Sequence, residues 1–228
     1  MISSEISTNL NEVNNTVDFK EIYKDYRKRL VELHVEILDK VISQDDFKKS
    51  AAILGILNNG CVTIESDSEK DVLYDFNIYG NIRDGKSSLA EYIDRYARKD
   101  EKEEELLKAM RLSDALLYEI VEINKKDGFI ILKDVFNSTE SIRLIDIGIS
   151  ASLKQKVLLF TRVIQLDGFA MTSGLVFMFS LDHKHYLINR SLKLSKKSRS
   201  GDASVDRFVS FFQLNRSDGI PAQYEKVQ

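Results

Sequence analysis

The residues best placed by type and spacing to do chemistry are Gly80-Asn-Ile-Arg-Asp-Gly85-Lys86-Ser87, which fit the pattern G-x-x-x-x-G-K-S and lead into a helix-like stretch, Ser88 to Arg98. In a phosphate loop the backbone amides cradle phosphates, the lysine reaches the outer ones and the hydroxyl binds magnesium. Further on, Asn124-Lys125-Lys126-Asp127 spells a guanine-recognition motif. Together the two stretches suggest nucleotide binding through Gly80, Gly85, Lys86 and Ser87. The pattern alone arises by chance in roughly one chain in a hundred of this length, so its surroundings must decide.

Those surroundings argue against it. A phosphate loop follows a buried parallel strand that reads as nearly continuous apolar residues, whereas Asp75 and Asn77 interrupt Tyr74, Phe76 and Ile78. Asp84 would put a carboxylate beside the phosphates. Only 36 residues lie between Ser87 and Asn124, largely helical in pattern and without a D-x-x-G. That gap has no room for the magnesium-binding and switch strands of a GTPase. Asn124 to Gly128 is better read as the turn of a hairpin, with Gly128 supplying a positive φ.

Asp182-His183-Lys184-His185 sets two imidazoles two residues apart, on one side of a strand if the strand continues. His34 is the only other histidine and no cysteine is near, so exposed polar residues at a strand end are the plainer reading, and no metal site is assigned. Cys61, the single cysteine, is expected to be buried or half-buried. Ser173 lacks the flanking glycines of a nucleophile elbow, and Asp134 and Asp146 sit at strand ends, where turns and caps explain them. No catalytic set is coherent, and no cofactor is implied.

The strongest non-catalytic signal is basic. Lys184, Arg190, Lys193, Lys196, Lys197 and Arg199, with Tyr186 among them, run without an acid from Lys184 to Gly201. Cations interleaved with an aromatic suit nucleic-acid phosphate. The alternative is a solvated linker balanced by the acids of Asp100 to Glu105.

The elements that must position these residues follow from periodicity. Met1 to Thr16 is polar and predicts a flexible tail. Asp18-x-x-Glu21 resembles a capping box, and Phe19, Ile22, Tyr26, Leu30, Leu33, Ile37 and Val41 then fall on one helix face. A second helix from Ser43 to Asp46 passes Phe47, Ala51, Leu54 and Leu57 and ends at Asn58-Asn59-Gly60. Capping boxes at Ser66-x-x-Glu69 and Ser88-x-x-Glu91 open two more, and Asp100 to Met110 gives another. From Leu116 the period falls to two, with strands expected over Leu116 to Ile123, Phe129 to Leu132, Ser141 to Ile147, Val157 to Leu166, Phe169 to Thr172 and Leu175 to Phe179. Asp127-Gly128 and Asp167-Gly168 are tight-turn signals, and Asn137-Ser138-Thr139 is a third turn. A final amphipathic helix begins near Ser204, with Val205, Phe208, Val209 and Phe212 on one face.

The expected fold is therefore α+β: a tail over 1–17, a helical region over 18–115 packed on an antiparallel β-meander or small barrel over 116–180, then a basic arm and a last helix over 181–228. At 228 residues and 43% hydrophobic the chain can bury a core without metals or disulfides. Its net charge of −3 exerts no global pull toward nucleic acid or lipid. One cysteine and a polar start point to a cytoplasmic location, and no run is long enough for a membrane span.

The order Val72-Leu-Tyr-Asp-Phe-Asn-Ile-Tyr79, Asp84-Gly-Lys-Ser87, Glu91-Tyr92, Glu104-Glu-Leu-Leu107, Leu117-Tyr-Glu-Ile-Val121, Leu132-Lys-Asp134, Ser150 to Leu153 and Leu158-Leu-Phe-Thr-Arg162-Val163 resembles uncharacterised bacterial proteins, some of which end in a SEC-C zinc motif. The resemblance covers about Glu69 to Val163. It implies that Asp84-Gly-Lys-Ser87 is a family loop and that the strands after Leu116 belong to the same unit. It supplies no activity, and the clustered Cys and His of the zinc motif are absent here. The function expected is a non-catalytic cytosolic binding or adaptor protein contacting protein or nucleic acid. The alternative is a phosphate-loop nucleotide-binding protein.

Overall fold

The computed structural model describes residues 19–96, 98–137, 140–198 and 200–221. The tail and the Asp18 cap lie outside these residues, as do Ser138 and Thr139 of the third turn.

Helix α1 (Phe19–Lys40) buries Tyr23, Leu30, Leu33 and Ile37 along the expected stripe. Ser43 caps α2 (Gln44–Ile53) through a reciprocal box with Asp46. This helix ends earlier than its periodicity suggests. Gly55 turns the chain at φ +74° and the Ile56 amide bonds back to Ala51. Asn59 and Gly60 then make the turn of a small hairpin, β1 (Leu57–Asn58) and β2 (Cys61–Val62), because both adopt positive φ. Cys61 is exposed on this hairpin, contrary to the buried thiol expected.

Helix α3 (Ser68–Tyr79) starts without a side-chain cap. Glu69 does not close a box with Ser66; its carboxylate takes the Glu65 amide and the Arg216 guanidinium. Helix α4 (Ser88–Arg95) is capped by Ser87, one residue before the expected cap, and α5 (Glu101–Leu112) by Asp100.

The strands β3 (Asp114–Asn124), β4 (Phe129–Asp134), β5 (Ser141–Ile145), β6 (Leu158–Gln165) and β7 (Ala170–Thr172) close into a ring. A short helix, α6 (Ile147–Ser152), links β5 to β6, and β8 (Phe177–Phe179) adds to β6. The chain is antiparallel throughout except at one step. β5 and β7 run parallel at Leu144 and Ala170, and β6 crosses over to pair with β3. It is this long-range pairing that turns a meander into a small barrel. A short 3-10 turn (Leu181–His183) leads into α7 (Lys184–Ser198) and α8 (Ala203–Asp218). The basic arm is thus a helix. His183 and His185 sit on helical backbone rather than a strand, so a two-residue spacing turns them to different sides.

Strand β6 shows how the layers meet. Leu159 and Val163 point into the barrel with Ile120, Leu132 and Leu144. Leu158 and Phe160 point out, toward α3 and α8, where Phe160 stacks on Phe211 at 4.4 Å. Ile164 also points out, but joins the cluster beneath α1, α4 and α5. Nearly every β6 residue is buried, as a strand covered on both faces requires.

Candidate functional site

Between the two outward-facing clusters on β6 lies Arg162, which faces Asp75 of α3, and Asn77 of α3 lies between residues of the two clusters. Phe76 belongs to one cluster and Ile78 to the other. The polar residues that break the apolar run of α3 therefore fall on the seam. The Arg162 guanidinium bonds both carboxylate oxygens of Asp75 (3.0 Å from Nη2 to Oδ1). It also donates to the Ser113 carbonyl and lies 4.1 Å from the Tyr79 ring centre. Ser173 donates to Asp75 at 2.6 Å, and the Tyr79 hydroxyl meets His34 Nε2 at 2.8 Å. Asn77 accepts from Ser50 and donates to the Leu73 carbonyl.

Burial governs the protonation of this cluster. It pushes the Tyr79 phenol far up and draws His34 down to about 4. Ser173 faces a carboxylate that already holds Arg162, and His34 faces a phenol. No imidazole reaches the serine as a base, so the arrangement is a clamp between helices and barrel. The sequence signal that marks it is the pair of polar residues inside an apolar helix face.

The Gly80 to Ser87 loop joins two helices, α3 and α4, where a phosphate loop would join a strand to a helix. Asp84 and Gly85 have φ of 52° and 78°, and Arg83 and Lys86 exchange both backbone hydrogen bonds, which makes a two-residue hairpin turn. The Ser87 hydroxyl is spent on the Ala90 amide, and Asn81 on Asp202. Lys86 is exposed at the turn. A cavity of about 280 Å³ beside the loop is lined by Tyr79, Asn81, Ser87, Ser113 and Arg162, and the side-chain polar groups of Asn81, Ser87 and Arg162 already have partners in the fold.

Asn124 and Asp127 bond to each other across their turn, and the Gly128 amide donates to the Asn124 carbonyl. Gly128 has φ +74°, and a Cβ there would lie 3.3 Å from Ile147. These four residues form a hairpin turn, not a base-reading loop.

The predicted cations divide. Lys184 is tied to Glu119 at 2.6 Å, and Arg199 lies outside the described residues. Arg190, Lys193, Lys196 and Lys197 are exposed on α7. At 100° per residue Tyr186, Arg190, Lys193 and Lys197 form one stripe, roughly 16 Å long. Arg190, Lys193 and Lys197 make no ion pair among the described residues. Of the acids proposed to balance them, Asp100 caps α5, Glu103 pairs with Arg29, and Glu105 holds the Tyr26 hydroxyl and the Asp167 amide, while Glu101 and Glu104 are exposed on α5.

Fold and surface together define an α+β protein built on a small closed barrel, with a cationic helix on its outside. The chain belongs to the DUF7986 family, a family of unknown function, which matches it over residues 18–225. That match agrees with the resemblance to uncharacterised proteins and does not show the SEC-C relatives. No curated protein and no solved structure matches the chain. No helix among the described residues is long and apolar enough to cross a membrane.

Proposed function

We propose that this is a non-catalytic cytosolic binding protein that contacts nucleic-acid phosphate through α7. The observation that carries the reading is the exposed stripe of Tyr186, Arg190, Lys193 and Lys197 on a helix that contains no acid. A fixed helix presents the cations at one-turn intervals, and an aromatic among them offers a face on which a base can stack. Lys196 and Lys197 also favour the negative end of their own helix, which accounts for the last turn but not for Arg190 and Lys193.

The test is fluorescence anisotropy with a labelled single-stranded oligonucleotide. With about three phosphates neutralised, affinity should fall by roughly tens of fold between about 50 and about 200 mM salt. Charge reversal by Arg190→Glu, Lys193→Glu and Lys197→Glu should abolish binding, whereas Lys28→Glu, exposed on α1, which packs in a different cluster from α7, should leave it unchanged. Salt-independent binding, or none, would overturn the reading.

A further inference from the structure

Phe19, Ile22 and Tyr26 carry the apolar stripe of α1 to its first turns, where they are only half-buried. The Asp167-Gly168 turn, with Gly168 at φ +84°, brings Asp167 and Phe169 up beside them, and α5 adds Glu105. Together they line a hollow of about 550 Å³. Phe19, Ile22, Tyr26 and Phe169 pack in a different cluster from Leu187 and Leu194 of α7, so the hollow stands apart from the phosphate stripe and from the function proposed for it.

Its charges are unbalanced. Asp25 and Lys102, which also line it, pair with each other, and the Lys102 ammonium lies 5.4 Å from the centre of the Tyr26 ring. Glu105 accepts from the Tyr26 hydroxyl and the Asp167 amide, but neither Glu105 nor Asp167 has a cation for its carboxylate among the described residues. Residues 1–18, which lead into α1, contain no lysine or arginine, so that stretch adds no side-chain cation.

We propose that the hollow binds an aliphatic diamine, its two ammonium groups matched to Glu105 and Asp167 and its methylenes laid on Phe19, Ile22 and Phe169. Two uncompensated carboxylates repel an anion and leave one charge over when a single ammonium binds. A carboxylate oxygen accepts more than one hydrogen bond, and each oxygen of Glu105 uses only one within the fold. The rings select an organic cation over a hydrated metal ion. Their faces attract a cation, and the Lys102 ammonium over Tyr26 is such a contact made within the chain. A hard metal ion needs further oxygen ligands, and no group of three His, Cys, Asp or Glu side chains among the described residues could hold one. The apolar wall suits a run of methylenes, which gains by leaving water.

The experiment is calorimetric titration of the full chain with cadaverine at about 50 mM salt, where charge pairs at a surface are little screened. Binding is expected, with a loss of about tenfold on Asp167→Asn and on Glu105→Gln, and of about threefold on Phe19→Ala. Asp167→Asn leaves an Asn-Gly turn, so that variant should keep the wild-type melting temperature. Pentylamine, with the same carbon chain and one ammonium, should bind about tenfold more weakly. Glu122→Gln, which removes an equal charge at an exposed position of β3 outside the hollow, should change affinity by less than about twofold. No binding of cadaverine would overturn the proposal. So would equal losses from Glu122→Gln and Asp167→Asn, since the amine would then follow the net negative charge of the chain alone. Pentylamine binding as tightly as cadaverine would overturn it too, and would make the hollow a seat for one alkylammonium, such as the lysine side chain of a protein.

Discussion

Arg162 and Asp75 are 8% and 5% exposed at their side chains, and each charge depends on the other. Two charges removed from water are tolerated only when paired and fully hydrogen-bonded. Here Ser173 and the Ser113 carbonyl take up the remaining capacity. Replacing one partner leaves the other buried without a counter-charge. Arg162→Met or Asp75→Leu alone is expected to cost about 3–5 kcal/mol in urea unfolding. The double variant should cost clearly less than the sum, because no orphan charge is left. Strict additivity would show that the two groups do not act as a pair. In the sequence Asp75 reads only as a break in the apolar run that a phosphate loop's strand would need. Its partner lies 87 residues away, and no local pattern announces that pairing.

At the scale of elements, turn chemistry accounts for what local sequence gets right. Gly128 closes the β3–β4 hairpin at a φ that disfavours any side chain, with Ile147 close behind. Gly128→Ala should therefore destabilise the protein by about 1–2 kcal/mol, read as a lower urea midpoint with an unchanged slope. The other loop separates its two roles. Ser87→Ala removes the α4 cap and should cost about 1 kcal/mol. Lys86→Ala, at an exposed turn, should stay within about 0.5 kcal/mol of wild type. Equal losses from the two would mean that Lys86 has a structural partner after all. Helix faces, the restart of helix after Ser43 and both Asp-Gly turns were legible because each is a local device, whereas the boxes expected at Ser66 and Ser88 gave way to an uncapped α3 and a cap at Ser87. The strand expected to carry His183 and His185, and the later end of α2, were not legible. There the chain follows packing and glycine placement over periodicity.

At the scale of the whole molecule, the helices of the first half are held to one another by groups whose protonation differs between folded and unfolded chains. His34 is held neutral by burial, with Asp75 opposing, so its value falls from 6.5 to about 4. The unfolded chain then binds a proton that the folded one refuses. This contribution is fully present above about pH 6.5 and is lost as pH falls toward 4, on the order of 3 kcal/mol. Glu36 is lowered to about 2 by hydrogen bonds from Lys99 and then Lys40. Its contribution is present above about pH 4.5 and is lost on the way down to 2. Melting temperature should fall as pH is lowered from about 7 to about 4, and His34→Gln should flatten that slope. An unchanged slope would place the titrating group elsewhere.

What the sequence determined by itself is whatever short-range chemistry specifies: a mostly helical first half, strands from Leu116 onward, the Gly128 turn, and a run of cations with no acid. Only the tertiary structure decided the rest. β6 returns to β3 and closes the barrel, and Asp75 finds Arg162 on the seam between two cores. Gly80 to Ser87 lies between helices, and the cations become a stripe along one face of α7. Each of these rests on contacts between residues far apart in the chain, whose partners are chosen by burial and register, and periodicity carries no record of that choice.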